Sequence, residues 1–210
     1  MLYYIIPTSL KYKDIVLPKL LNSLKNSQNQ IIVAVNESND KKIVEENNII
    51  YYYLNTCAFE YLAPIVALKL LNKSDHFFWL HDTCEAGPNF ENIINQYDYT
   101  KYDYVDVYNG YCNFGIYSVE LIIQDSNWVL SQRNITKEKA VTNEMRYFRE
   151  FKNCKQNRFL TIADVDCYKQ IGVKDVYNTG TPRLVEHYGH IDLYKFKANW
   201  YYKKDWTIKV

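Results

Sequence analysis

The chain has 210 residues, of which 48% are hydrophobic and 23% charged, which suits one domain with a real core and argues against disorder. Its net charge of +1 leaves no electrostatic footprint for nucleic acid or an anionic membrane surface. Cys57, Cys84, Cys112, Cys154 and Cys167 are odd in number and form no CxxC pair, which argues against a disulfide framework or structural zinc and fits a reducing, cytoplasmic setting.

The first half alternates strand and helix signals. Leu2 to Ile6 is a short β-rich run ended by Pro7, too short for a secretory leader. Asp14 to Asn26 carries a helical apolar stripe from Ile15 to Leu24, with Pro18 suited to its first turn. Gln30 to Val35 is nearly all apolar, as buried parallel strands are. A polar turn from Asn36 to Asp40 leads to an expected short helix over Lys41 to Asn47, and Ile49 to Leu54 is the third strand. Phe59 to Leu71 is a helix apolar nearly all round, so it is expected to be deeply buried. Broken by Glu60 and Lys69, it falls short of the ~20 apolar residues that span a bilayer, and no integral membrane segment is expected. His76 to Leu80 is the fourth strand, ending at His81-Asp82-Thr83-Cys84, and Pro88 opens a helix through Tyr97.

Four strand–helix units of this kind predict a mostly parallel central sheet flanked by helices. Ligands in such sheets bind beyond the carboxyl ends of the strands. Pro7-Thr8-Ser9, Asn36-Glu37-Ser38 and His81-Asp82-Thr83 follow the first, second and fourth strands, so they are expected to converge on one edge. The second half is less regular. Tyr104 to Tyr108 and Asn113 to Tyr117 are expected strands joined by Asn109-Gly110, Thr136 caps a helix running to Lys152, and Phe159 to Ala163 is another strand. The tail from Val185 to Trp206 mixes histidines, aromatics and lysines. The 21 Tyr and 4 Trp offer flat faces for sugar stacking, while abundant Asn, Lys and Ile point to an AT-rich codon bias behind most of the tyrosines.

The glycine-dependent phosphate sites are missing. No GxGxxG follows the first strand, and neither GxxxxGK[ST] nor GxSxG occurs. A sheet that handles phosphate without such a loop needs other means, of which a carboxylate-held divalent metal is the simplest. Asp82, closing the apolar run Phe77-Phe78-Trp79-Leu80-His81, is the natural candidate; a turn or helix cap at the strand end is the alternative, and local sequence does not choose between them.

Strand-Pro7-Thr8, strand-VNESND, buried helix and strand-FFWLHDTCEAGPNF, in that order over residues 1 to 97, resemble the nucleotide-sugar half of a GT-A glycosyltransferase. The chain also resembles the N-terminal glycosyltransferase domain encoded by a chlorella virus. The resemblance implies an α/β fold, one GT-A domain over residues 1–210, with 1–97 binding the nucleotide-sugar and 98–210 forming the acceptor half and tail, whether or not a longer chain surrounds it. It implies that Pro7, Thr8 and Ser9 lie near the nucleotide and that Asn36 or Glu37 reads base or ribose. It implies Mn²⁺ or Mg²⁺ on Asp82, with His187 or His190 as a late ligand and Lys195 or Lys197 offsetting diphosphate charge. His81-Asp82-Thr83-Cys84-Glu85 departs from a full D-x-D by its missing second carboxylate. Asp164-Val165-Asp166 is the literal D-x-D and the next place for a metal.

An inverting transferase needs a general base for the acceptor hydroxyl. Glu144 is the candidate, against the alternative of a solvent-facing helix residue beside Arg146 and Arg149. The expected function is transfer of a sugar from a nucleoside diphosphate, UDP-sugar first, to a glycan acceptor. The alternatives are a non-catalytic glycan-binding or scaffolding domain of the same fold, and a sugar nucleotidyltransferase, against which the glycine-free segment after Pro7 counts.

Overall fold

A computed structural model describes residues 1–107, 114–144, 154–158 and 168–198. In chain order the first half comprises β1 (Leu2–Ser9), α1 (Leu17–Ser23), β2 (Gln30–Asn36), β3 (Lys42–Glu46), β4 (Ile49–Tyr53), α2 (Leu62–Leu70), β5 (His76–Trp79), β6 (Cys84–Ala86) and α3 (Phe90–Gln96). The second half adds β7 (Tyr104–Asp106), β8 (Gly115–Ser118), α4 (Val119–Gln124), α5 (Ser126–Ser131), α6 (Lys137–Glu144), β9 (Gln156–Arg158), β10 (Tyr168–Lys174), β11 (Arg183–Tyr188) and β12 (Leu193–Ala198). The expected strands and helices over 108–113, 145–153, 159–163 and 199–206 lie outside the described residues.

The fold is mixed α/β. Eight strands form a sheet in the order β3-β4-β2-β1-β5-β8-β7-β9, with parallel pairing from β4 through β2 and β1 to β5. β1 and β2 are buried on both faces because their apolar runs leave no polar side to show water. Helices cover both faces. Leu62 to Ala67 of α2 are all buried against one face, with Tyr61, Trp79 and Trp128 in edge-to-face contact at 5.8 and 5.5 Å. Leu17 and Leu20 of α1 and Phe90 and Ile94 of α3 fill the other.

Pro7 sits inside a central strand, where its missing N–H would normally remove a ladder bond. Here β1 pairs with β5 only as far as Ile5 and Trp79, and Ile5 O accepts from Leu80 N at 3.1 Å. Pro7, two residues on, faces that same side after the pairing has ended, so no bond is forfeited. The two strands part beyond that point and leave a crevice at the carboxyl edge.

The expected helix over Lys41 to Asn47 is instead β3, an antiparallel strand against β4. Asn47 and Asn48 both have positive φ (51° and 63°), the two-residue hairpin turn that asparagine tolerates, and this folds the segment back as a strand. The tail also contributes strands: β10, β11, β12 and β6 form a second, antiparallel sheet. β6 begins two residues after Asp82, so the chain passes from the main sheet into the second across His81-Asp82-Thr83. Phe196 N donates to Thr83 O at 2.8 Å and fastens that passage. No helix among the described residues is long and apolar enough to cross a membrane.

Candidate functional site

A pocket of about 470 Å³ opens in the crevice at the carboxyl edge. The end of β1 and its following turn supply Pro7, Thr8, Ser9, Lys11 and Tyr12; the end of β2 supplies Asn36 and Glu37; the end of β5 supplies His81 and Asp82. Members of all three polar clusters thus line one cavity, Ser38 and Thr83 excepted, brought together because their parent strands are adjacent and parallel. Sequence reasoning did not reach the remaining walls, which are Cys57, Phe59 and Glu60 ahead of α2 and Lys137 at the start of α6.

Asp82 is partly open to the pocket and enclosed by protein on its other sides. Thr8 Oγ1 donates to its Oδ2 at 2.7 Å. Burial pushes its carboxyl up to about 6; the Thr8 bond opposes this, and the nearby charge of Glu60 reinforces it. Glu60 divides its two oxygens between different tasks. Oε1 accepts from Lys137 Nζ at 2.7 Å, and Oε2 is buried without a hydrogen-bond partner. Ser9 Oγ is orphaned in the same way. Orphaned buried polar atoms are uncommon in native proteins, and two of them lie on this one pocket.

The backbone carries a second mark. Glu37 (φ 61°) and Phe59 (φ 49°) both adopt the left-handed region and both line the pocket. Such strain, of order 1–3 kcal/mol per residue, clusters at functional sites. Asn36 helps maintain it: Nδ2 donates to Phe59 O at 3.1 Å, while Oδ1 accepts from Ala58 N at 3.2 Å and Thr56 Oγ1 at 3.3 Å. Its amide therefore holds the loop ahead of α2, and Glu37 offers the exposed polar end. Cys57 Sγ lies 4.0 Å from Glu37 Oε1; burial, then the charge of Glu37, pushes the thiol up. Lys137 Nζ lies 5.1 Å from the Phe59 ring centroid, so one cation bridges an aromatic wall and a carboxylate.

The late candidates lie in and beside the second sheet. His187 stacks on Tyr194 at 4.3 Å with Nε2 3.5 Å from Asp192 Oδ1, and His190 Nε2 lies 2.9 Å from Val107 O. Lys197 pairs with the buried Glu186 at 2.9 Å, and Lys195 lies 4.7 Å from the Phe114 ring centroid. None of these four is among the residues lining the pocket. Among the described residues, no group of three or more His, Cys, Asp or Glu is arranged to hold a metal. Glu144 is the last residue of α6, and its side chain lies outside the described part of the protein, as do Asp164 and Asp166.

No family model matches the chain, and no curated protein does. Among solved structures it is similar to Staphylococcus aureus TarS 1–349, with a TM-score of 0.46 and 14% sequence identity. The match covers 75% of this chain and 60% of that one. These comparisons do not show the chlorella-virus likeness. The pocket, and not this similarity, carries the functional proposal.

Proposed function

We propose that the protein is a glycosyltransferase of the GT-A type whose pocket holds a nucleotide-sugar, UDP-sugar being the first candidate donor and a glycan the acceptor. One observation supports this above the rest. Three strand ends meet at a pocket where Asp82, half-enclosed and with its carboxyl pushed up to about 6, lies on the same wall system as the orphaned oxygens of Glu60 and Ser9. A group that a fold pays to bury in its charged form is a functional candidate.

Tyr12 and Phe59 offer ring faces for the base, and Glu37 an acceptor for ribose or base donors. Lys11 and Lys137 bring positive charge for the diphosphate. Asp82 and Glu60 are hard oxygen donors, and the orphaned Glu60 Oε2 has room in its bonding for a cation, so both fit Mn²⁺ or Mg²⁺. When bound, such an ion offsets the charge of the departing nucleoside diphosphate. Thr8 orients the Asp82 carboxylate by its 2.7 Å bond. Asn36 keeps Phe59 and its loop against the pocket. We assign the acceptor half of the GT-A domain to residues 98–210, which include His187, His190, Lys195 and Lys197, with Glu144 proposed as general base.

The test is release of UDP from a panel of UDP-sugars in Mn²⁺, with and without glycan acceptors, on the wild type and on Asp82→Asn. Turnover that the substitution abolishes supports the proposal. Binding without turnover on every donor would leave a non-catalytic glycan-binding domain of the same architecture.

A further inference from the structure

β3 closes one margin of the eight-stranded sheet, and all five of its residues are exposed. Ile43 and Val44 are 56% and 39% accessible at its centre. An exposed edge strand is a template for pairing, and proteins usually blunt it with proline, a bulge or charged side chains, which repel a second copy when they are of one sign. β3 has no proline, and its register with β4 runs without a shift from Lys42 to Glu46. Its charges are balanced instead, with Lys41 and Lys42 before the apolar pair and Glu45 and Glu46 after it.

That order is self-complementary. Two antiparallel copies related by a two-fold axis normal to the sheet place residues of the same pleat face opposite one another. With the axis at Val44, Lys42 faces Glu46 of the second copy, Val44 faces Val44, and Glu46 faces Lys42, all on one face. Ile43 faces Glu45 on the other. The main chain agrees with this register. Glu46 and Ile49 close the hairpin, so Lys42, Val44 and Glu46 turn their N–H and C=O groups toward β4. Ile43 and Glu45 turn theirs outward, and the two Ile43–Glu45 pairs would exchange about four main-chain hydrogen bonds. A register centred on Ile43 would instead set Asp40 against Glu46.

We infer that β3 is a homodimer edge: a second copy of this chain pairs antiparallel with it about Val44 and continues the sheet across both subunits. The occupant is the chain itself because the edge complements its own charge sequence.

Sedimentation velocity over a wide concentration range tests this on the full chain. The wild type is expected to shift to twice the monomer mass as concentration rises. Lys42→Glu or Glu46→Lys alone would set like charges opposite each other at both ends and raise the dissociation constant about tenfold or more. The double variant Lys42→Glu/Glu46→Lys would restore the dimer, because the two-fold axis pairs the exchanged charges again. It also shows that the single variants fail by charge and not by misfolding. Ile43→Pro removes only an outward N–H and is expected to give a folded monomer. A wild type that stays monomeric throughout, or a dimer indifferent to the single reversals, overturns the inference.

Discussion

Replacing Asp82 by Asn should stabilise the protein at neutral pH while removing the group proposed to hold the ligand. The folded carboxyl ionises near pH 6, raised chiefly by burial, whereas an unfolded aspartate ionises near ~3.9. Between those values the folded state binds more protons than the unfolded state, so stability falls as pH rises through that window. The difference, at 1.36 kcal/mol per unit, amounts to about 3 kcal/mol once both states are ionised, and partial opening to solvent reduces this to about 2. Asn has the same shape, never ionises, and keeps an oxygen for the Thr8 hydroxyl. Asp82→Asn should therefore melt about 4–8 °C above the wild type at pH 7.5 and level with it at pH 4, in chelator. Differential scanning fluorimetry across pH 4 to 8 reads the difference directly, and taking the difference cancels the other titrating groups. A gap between the two proteins that does not change with pH would refute the buried-carboxylate reasoning.

Thr8→Val removes the O–H that holds the Asp82 carboxyl down, so Asp82 should ionise above about 6 in carbon-detected NMR titration. Lys137→Ala should weaken UDP binding roughly tenfold by calorimetry, because it removes pocket charge. It should change stability by less than ~1 kcal/mol, since the Lys137–Glu60 pair is half-exposed on the lysine side. A Cβ on Gly87 would collide with the carboxylate of Asp192, which accepts from Asn89 N at 2.8 Å and faces His187. Gly87→Ala should cost ~1–3 kcal/mol in urea unfolding, with pocket binding retained.

The strands that frame the pocket were legible because burial on both faces leaves an unmistakable apolar run. β1, β2 and β5 could each be read that way, as could α2, whose buried stretch from Leu62 to Ala67 contains no polar residue, whereas β4 is mostly half-buried and was legible from its run of Ile and Tyr. β3 was misread as helix. Lys41-Lys42-Ile43-Val44-Glu45-Glu46 favours neither period, and the deciding signal was the Asn47-Asn48 pair, a left-handed hairpin turn. The second sheet was hidden for a different reason. β6 is three residues long and pairs with β12 more than a hundred residues away, a contact no local pattern announces.

The same division holds at the site. Thr8, Asn36 and Asp82 follow apolar strands, so topology alone placed them on one edge. Glu60 was visible as a carboxylate interrupting an apolar helix, yet it was counted only against membrane insertion. Lys137 reaches the pocket because α6 packs beside the start of α2, which follows from tertiary packing alone. Asn36 and Glu37, the pair expected to meet the nucleotide, both line the pocket, and the Asn36 amide also bonds Thr56, Ala58 and Phe59, a tertiary tie that local sequence does not announce.

The central claim, that this pocket holds a nucleoside diphosphate with the help of Asp82, is tested most directly by calorimetric titration. UDP and then GDP would be added to the metal-free protein and to Asp82→Asn, each with and without Mn²⁺. The account predicts UDP binding that requires Mn²⁺ and disappears in the variant, although the variant is the more stable protein at neutral pH. Absence of binding by either nucleotide under every condition, or UDP binding equal in the variant, would contradict it.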